Sequence, residues 1–196
     1  MKKREFLSAV AATAAVALPA SGRAAGDLGR SMKSPALLTV TGAIGKPNRG
    51  ALDPAMDQMM AKQKIAFDKA HAFSFDFLAA MPAVTIKPTL EYDGKVHALH
   101  GPLLVNVLAA AGVTGEAGKL AMRAVDGYAP TLTLADAHKY RFIVATHLDG
   151  RPMPLGGLGP LWAVYDADRF PDMAAKPVDQ RFAQCPWALY HIDVQA

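Results

Sequence analysis

The sequence predicts a single α+β domain with a mainly mixed β-sheet and several short helices. Short runs of β-branched and aromatic residues recur from residue 37 to the end of the chain, as is typical of strands. The apolar segments between them are short, and three Asp-Gly pairs, which favour tight turns, separate the later runs. About 170 residues follow an N-terminal export signal, a length that favours one domain with a substantial core.

The first half of the domain alternates strands, loops and helices. Residues 37–42 are β-branched and end in glycine, so they predict an opening strand. The Gly, Pro and Asn content of 45–50 predicts a loop, and the methionine-rich stretch 53–64 predicts a helix. Residues 65–68 predict a short strand. A helix follows within 74–82, capped by the serine at its start and ending before a proline.

The second half combines two more helices with several strands. Pro102 near the start of 101–111, and Gly112 just after it, favour a buried helix with those limits. Residues 134–138 predict another short helix. The remaining strand-like runs are 141–146, 161–165 and 188–194. The turns are predicted at Asp93-Gly94, Asp126-Gly127 and Asp149-Gly150, where glycine tolerates a positive φ angle.

Residues 1–25 have the pattern of an export signal. Lys2, Lys3 and Arg4 precede an apolar, alanine-rich run, and small residues follow it. The Lys3-Arg4 pair is similar to a weakened twin-arginine motif, and a plain Sec signal is the alternative. The apolar run is too short for a transmembrane helix. We therefore expect a periplasmic domain of residues 26–196 that does not span the membrane.

The charge of the chain argues against two classes of partner. Residues 1–25 carry most of its net charge of +4, which leaves the domain near neutrality. Charges of both signs are mixed along 26–196, so nothing favours a nucleic acid or an anionic membrane surface. Cys185 is the one cysteine, so no intramolecular disulfide is expected, even in a compartment that permits one.

Several motifs, in order along the chain, resemble the sulfite-oxidase-type molybdopterin-binding family. The segment 89–92, Thr-Leu-Glu-Tyr, is similar to a Thr-Leu-x-Cys segment whose thiolate binds molybdenum in that family. Residues 99–108 resemble its W/H-x-G-x-x-L-x-x-x-L helix start, and 125–129 resemble A-x-D-G-Y. Residues 149–161 resemble N-G-x-P-L-P-x-x-x-G-x-P-L. The resemblance implies a sulfite-oxidase-type molybdopterin-binding fold over 26–196.

The departures from the family concern its metal. Tyr92 stands where the family has its cysteine, and Trp162 where it often has arginine. A phenol has a pKa of about 10 and is a hard oxygen ligand, unlike a soft thiolate. The long basic V-K-W region that holds the cofactor phosphate in the enzymes is missing. We therefore expect a pterin-binding fold without a metal and without catalytic residues.

Some compact, exported members of this family bind a free reduced pterin and report it to a membrane-bound diguanylate cyclase or phosphodiesterase. The resemblance thus implies a non-enzymatic, periplasmic pterin-binding protein that modulates a membrane signalling partner of the cyclic-di-GMP system. Two alternatives stay open. One is a molybdopterin-dependent oxidoreductase with an unusual metal ligand, and the other is a ligand-free interaction module that keeps the fold as a scaffold.

A pterin site needs an acceptor for the 2-amino group and N3–H, and an aromatic or apolar wall. Glu91 and Tyr92 supply both, although neighbours on a strand point to opposite faces, and Tyr92 holds the family position. Asp126 and Tyr128, at i, i+2 spacing, would supply an acceptor and a wall on one face. The alternatives are a solvated Glu91, a half-exposed strand tyrosine, and an ordinary turn at Asp126.

Three more residues complete the predicted ligand-binding set. Trp187 would stack on the ring, with core packing as the alternative, and Arg123 would hold the polar side chain of a pterin or a phosphate. His100 stands at a family position that is usually aromatic or histidine and would touch the ligand. No H-x-x-x-H or C-x-x-C spacing supports metal ligation by the histidines. Cys185 is interpreted as a small buried hydrophobe.

Overall fold

The computed structural model describes residues 34–115 and 118–196, and the predicted export signal lies outside these ranges. The described part of the chain is α+β, as the sequence predicts. Its helices are α1 (Gln58–Lys62), α2 (Phe75–Ala80), α3 (Leu104–Ala110), α4 (Leu134–Lys139), α5 (Pro171–Ala174) and two 3₁₀ turns (Ala167–Arg169 and Val178–Gln180). Its strands are β1 (Ala36–Gly42), β2 (His71–Ser74), β3 (Ala83–Ile86), β4 (Leu99–Pro102), β5 (Lys119–Ala124), β6 (Thr131–Thr133), β7 (Ile143–Ala145), β8 (His147–Leu148), β9 (Arg151–Pro152), β10 (Trp162–Val164) and β11 (Leu189–Gln195).

A five-stranded mixed sheet is the largest layer, with the order β2-β1-β11-β5-β6. The first and last strands of the domain, β1 and β11, run parallel, and Thr39 lies opposite His191. The other pairs in this sheet are antiparallel. Gly42 ends β1 at a point where a Cβ atom would lie 2.1 Å from the carbonyl oxygen of Val194. Only glycine permits this close approach, which explains the glycine that closes the predicted opening strand.

A four-stranded antiparallel sheet, with the order β3-β4-β8-β9, and a β7–β10 pair complete the architecture. The two-residue turn between β8 and β9 is the predicted Asp149-Gly150 pair, whose φ angles are 48° and 78°. Both values lie in the left-handed region that short hairpin turns require. This prediction from the sequence is therefore confirmed.

The short helices begin and end where local chemistry favours it. The Ser74 side chain accepts a hydrogen bond from the Phe77 N–H and caps α2, which contributes about 1 kcal/mol. Thr133 caps α4 in the same way through the Asp136 N–H. Gly112 follows α3 with a φ angle of 83°, a conformation that stops a helix at little cost for glycine. The predicted helices 74–82 and 134–138 are thus confirmed.

The main hydrophobic core joins all three sheets and α3. Trp162, Phe73 and Phe142 are among its largest fully buried side chains. A smaller cluster of Met60, Ile65 and Tyr190 holds the segment around α1 to the domain. No helix in the described residues is long and apolar enough to cross a membrane.

Three predictions of elements were wrong in extent or type. Residues 65–68 form no strand, because Ile65 packs into the smaller cluster instead. Helix α1 covers only part of 53–64, since the Asp53 carboxylate accepts hydrogen bonds from the Ala55 and Met56 N–H groups and holds a turn. Gly101 belongs to β4 and not to a helix, because β4 packs so closely on β7 that a Cβ atom there would lie 2.0 Å from the Val144 carbonyl oxygen.

Candidate functional site

A cleft of about 690 Å³ opens between α1, the turn after β3 and the segment before β11. Its walls are mainly apolar. They are formed by Met59, Tyr92, Val125, Trp187, Ala188 and the loop 155–158. The ligand-binding predictions Tyr92 and Trp187 therefore lie in one cleft, although 95 positions separate them in the chain. A cavity of this size with an apolar lining and few polar groups suits a small flat ligand.

Tyr92 reaches the cleft from a tight turn and not from a strand. The Leu90 N–H donates to the Lys95 carbonyl and the Gly94 N–H donates to the Leu90 carbonyl, which closes the turn. Leu90 is buried and anchors the turn in the core, while the Tyr92 side chain is 53 % exposed. The Tyr92 and Trp162 rings lie 6.4 Å apart, centroid to centroid. The expectation that Glu91 and Tyr92 are strand neighbours on opposite faces was wrong.

The turn brings the Glu91 carboxylate close to the Tyr92 phenol. Burial raises the pKa of Tyr92 well above its ordinary value, and the negative charge of Glu91 raises it further. The phenol therefore stays protonated at any physiological pH. A neutral phenol is an aromatic wall and an O–H donor, and it is a poor anionic ligand for a metal.

The segment before β11 forms the opposite wall. Trp187 pairs with Trp162 through an isolated bridge, and Ala188 has a φ angle of 48°. The Trp162 indole N–H donates to the Cys185 carbonyl at 2.9 Å. These contacts hold the Trp187 ring at the cleft and leave it partly exposed.

Cys185 lies in this segment but is buried. Burial raises the pKa of its thiol well above the ordinary value, a hydrogen bond from the Tyr165 backbone opposes that rise, and the Glu91 charge adds to it. The thiol is therefore a neutral, inert group, as the sequence analysis expected of a small buried hydrophobe.

The loop 155–158 closes one side of the cleft. Gly156 has a φ angle of 95°, so its conformation suits glycine, and Leu155 is largely exposed. The Leu158 carbonyl accepts a hydrogen bond from the Ala188 N–H at 3.1 Å, which ties the loop to the Trp187 wall. Backbone groups of this loop thus lie beside any molecule in the cleft.

Asp126 and Tyr128 lie in the turn between β5 and β6, and neither lines the cleft. The Asp126 carboxylate accepts a hydrogen bond from the Tyr128 N–H at 2.9 Å, so it stabilises its own turn. The Tyr128 hydroxyl donates to the Ala183 carbonyl, and this contact supports the segment that carries Trp187. The expectation that they share a strand face was wrong, because Gly127 turns the chain between them with a φ angle of 92°.

Arg123 and His100 lie on two different strands, and neither strand places its residue in the cleft. Arg123 lies on β5 opposite His191, and its Nε atom is buried without a hydrogen-bond partner in the described structure. His100 lies on β4, where it is exposed and pairs with His147 on β8. Neither residue lines the cleft.

Sequence reasoning missed several apolar lining residues. Val125 directly follows the end of strand β5, and Ala188 has a positive φ angle that nothing in the sequence indicates. Leu155 precedes Gly156 and Gly157, and this glycine-rich segment was the available signal in the sequence. Met59 belongs to the methionine-rich stretch 53–64, for which the sequence predicted a helix but no contact with a ligand.

Among the comparisons with known proteins, only that with solved structures gives a match. No family model matches the chain. No curated protein matches it either. Among solved structures, the sulfane dehydrogenase SoxCD from Paracoccus pantotrophus is similar, with a TM-score of 0.53 and 13 % sequence identity over 81 % of this chain. The chain spans 37 % of the length of that enzyme chain.

The likeness shows the fold alone. At this identity it is a distant likeness of fold to that enzyme, in agreement with the sulfite-oxidase-type fold implied by the sequence motifs. In the described residues, no group of three or more His, Cys, Asp or Glu side chains is arranged to hold a metal ion.

Proposed function

We propose that the cleft binds a free, reduced pterin and that the chain acts as a binding protein rather than as an enzyme. The observation that carries the proposal is the placement of two aromatic side chains, Tyr92 and Trp187, in one apolar cleft. The carboxylate of Glu91 does not line the cleft but lies beside the Tyr92 phenol at its edge. A pterin ring has two faces that stack on aromatic walls and one edge rich in N–H donors.

Glu91 suits the donor edge of the ring. The 2-amino group and N3–H of a pterin form two parallel donors, and a carboxylate accepts both in a charge-assisted pair. Backbone groups of the loop 155–158 supply further acceptors and donors close to the ring. The neutral Tyr92 phenol directs its O–H to the Glu91 carboxylate and offers its oxygen as an acceptor beside the ring.

The residues present do not fit the molybdenum centre of the resembled family. Tyr92 stands at the position of the metal-binding thiolate, and its phenol is held protonated. The thiol of Cys185 is buried and protonated as well, and it does not line the cleft. The chain therefore offers a wall and an acceptor for a pterin ring but no thiolate for a metal.

We propose further that the protein is periplasmic and passes pterin occupancy to the periplasmic domain of a membrane-bound cyclic-di-GMP enzyme. The export pattern of 1–25 and the family resemblance support this proposal. Leu155 and Met56 are 69 % and 81 % exposed, so apolar surface is available for a partner. A ligand between Tyr92 and the loop 155–158 would favour one loop arrangement, which the partner would bind more tightly.

The decisive experiment is mass spectrometry of the small molecule that co-purifies with the protein exported to a periplasm. A tetrahydropterin or its oxidised product, without a molybdopterin fragment, is the expected result.

A second measurement is a tryptophan-fluorescence titration with tetrahydrobiopterin. Trp187→Ala and Tyr92→Ala should each weaken binding at least about tenfold, a typical loss for a buried aromatic contact.

Phe77→Ala provides the matched control, because Phe77 is also half-exposed but lies on α2 and does not line the cleft. Its affinity for the pterin should equal that of the unmodified protein. Equal affinities in all three variants would contradict the assignment of the cleft.

The second candidate function is a molybdopterin-dependent oxidoreductase, favoured by the distant likeness to a sulfane dehydrogenase. A molybdopterin derivative in the mass spectrum, together with stoichiometric molybdenum, would support it. An empty protein whose thermal stability is indifferent to added pterins would instead support a ligand-free interaction module.

A further inference from the structure

We propose that His100 and His147 form a binding site for a divalent transition-metal ion, with Cu²⁺ or Zn²⁺ as the best-suited ions. The two residues are direct neighbours on β4 and β8 of the four-stranded sheet. Their ring centroids lie 6.2 Å apart. The site shares no residue with the lining of the pterin cleft, so it goes beyond the function proposed above.

The hydrogen bonds of Thr146 accommodate the Nδ1–H tautomer of His147. The Thr146 hydroxyl donates its one proton to the His100 carbonyl at 3.2 Å. The same oxygen lies 2.8 Å from the His147 Nδ1 atom and can accept a proton from that nitrogen. Thr146 is fully buried, which leaves water no access to its hydroxyl. In the Nδ1–H tautomer, which metal binding at this site requires, the His147 Nε2 atom carries a free lone pair.

His100 has a matching anchor on the other neighbouring strand. Its Nδ1 atom lies 3.0 Å from the Thr85 hydroxyl on β3. In the ranges 34–115 and 118–196, no hydrogen bond reaches the Nε2 atom of either ring. Metal-binding histidines commonly hydrogen-bond the protein through one ring nitrogen and bind the ion through the other.

The spacing of the rings is compatible with a shared ion. Metal–nitrogen bonds of about 2.0–2.1 Å place the centroids of two imidazoles on one ion about 4.5 Å apart at a right angle, about 5.2 Å apart at the tetrahedral angle and about 6.4 Å apart when the nitrogens are opposite each other. The observed separation of 6.2 Å lies near the wide-angle end, which suits two opposite ligands of Cu²⁺, and a tetrahedral Zn²⁺ ion would draw the rings about 1 Å closer. The Phe75 ring, 5.9 Å from the His147 ring, covers one side and restricts its rotation. His100 is exposed, so an ion has a path from solvent.

The donor set indicates the class of metal. Imidazole nitrogens favour copper, zinc and nickel over the hard ions magnesium and calcium, and Cu²⁺ binds most tightly in the common order of affinities. Two protein ligands leave further positions to water, so the site would be an open one. The two nitrogens lie on different strands and are distant in sequence, which explains why no metal-binding spacing is visible in the chain.

The test uses the untagged protein and Cu²⁺ alone, followed by titration calorimetry and electron paramagnetic resonance. We expect saturable binding of a single ion with a spectrum that shows two imidazole nitrogens. His100→Gln and His147→Gln should each lower the affinity at least about tenfold, and each spectrum should retain a single imidazole nitrogen. His138→Gln is the matched control, because His138 is exposed on α4, away from the pair, and should bind as the unmodified protein does.

Thr146→Val separates a positioning role from ligation. The substitution keeps the shape of the buried side chain but removes the acceptor for the His147 Nδ1–H, so affinity should fall by about tenfold, with both nitrogens still in the spectrum. Circular dichroism of each variant checks that the sheet has formed. Absence of saturable Cu²⁺ binding by the unmodified protein, or unchanged affinity in folded His100→Gln and His147→Gln, would overturn the proposal.

Discussion

The imidazole Nδ1 atom of His97 lies 2.7 Å from the Asp149 carboxylate. The other ring nitrogen of His97 lies 3.0 Å from the Asp93 carboxylate. These contacts join the turn that carries Tyr92 to the β8–β9 turn. Because a carboxylate only accepts, both nitrogens donate, so the ring is an imidazolium. It links the turn that carries Tyr92 to the β8–β9 turn.

The first prediction concerns this link and pH. Hydrogen bonds to Asp149 and then to Asp93 raise the pKa of His97 above its ordinary value, and hydrogen bonds to His97 lower the pKa of both carboxyls. The stabilisation by His97 is thus fully present below about pH 6.5 and is lost as pH rises through its folded pKa. The carboxylate contribution is present above about pH 3.9 and is lost as pH falls below it.

The measurement is thermal unfolding of the unmodified protein and of His97→Gln at several pH values from about pH 4 to about pH 8. The advantage of the unmodified protein should be largest between about pH 4 and 6.5 and should decrease above that range. A difference that stays constant up to pH 8 would show that the link does not depend on the charge of His97.

The second prediction concerns His191, whose pH dependence has the opposite sign. His191 is buried, and its Nε2 atom lies 2.9 Å from the Thr41 hydroxyl. Burial lowers its pKa to about 4, Asp193 opposes this shift, and the Arg123 charge adds to it. In the unfolded chain the group binds protons below about pH 6.5, so the free energy of unfolding falls between about pH 6.5 and 4.

The size of the pKa shift of His191 corresponds to a loss of free energy of unfolding on the order of 3 kcal/mol over that pH range. Urea unfolding of the unmodified protein and of His191→Gln at several pH values checks it. The variant should show a flatter pH dependence, whatever its absolute stability. Parallel curves for the two proteins would contradict a neutral, buried His191.

The third prediction concerns Glu91 as the acceptor for the donor edge of a pterin. Glu91→Gln removes the charge and one acceptor oxygen but keeps the shape, so affinity for tetrahydrobiopterin should fall by about tenfold, the value of one charge-assisted hydrogen bond. Asp76→Asn on α2 is the control, and its affinity should not change. Fluorescence titration gives both values, and equal affinity of Glu91→Gln would exclude a contact between this carboxylate and the ligand.

The fourth prediction concerns Gly101, where β4 crosses close to β7. A Cβ atom at Gly101 would lie 2.0 Å from the Val144 carbonyl oxygen, and the backbone there has little room to move. Gly101→Ala should therefore lower the free energy of unfolding by about 2 kcal/mol or more, as overpacking of a core does. Gly50→Ala is the matched control, because nothing lies within 4 Å of a Cβ atom at that glycine. Similar urea midpoints for the two variants would contradict the close approach.

Local rules explain the elements that could be predicted from the sequence. The Ser74 cap, the helix end at Gly112 and the Asp149-Gly150 hairpin all depend on residues next to one another in the chain. The run of β-branched residues that forms β1 is likewise a signal carried by neighbouring residues. Where long-range packing competes with local preference, prediction failed, as at Gly101, which joins a strand because β4 packs against β7.

The sequence by itself determined the α+β class, the residues that cap and end the helices, the aromatic character of Tyr92 and Trp187, and the presence of a phenol rather than a thiol at position 92. Only the tertiary structure decided that Tyr92 lies on a turn beside Glu91, that it shares a cleft with Trp187, and that Asp126 serves its own turn. It alone also placed His100 next to His147. The physical reason is that side-chain type and turn preference are local properties, whereas a cleft or a pair of ligands depends on strand register and on packing between distant segments.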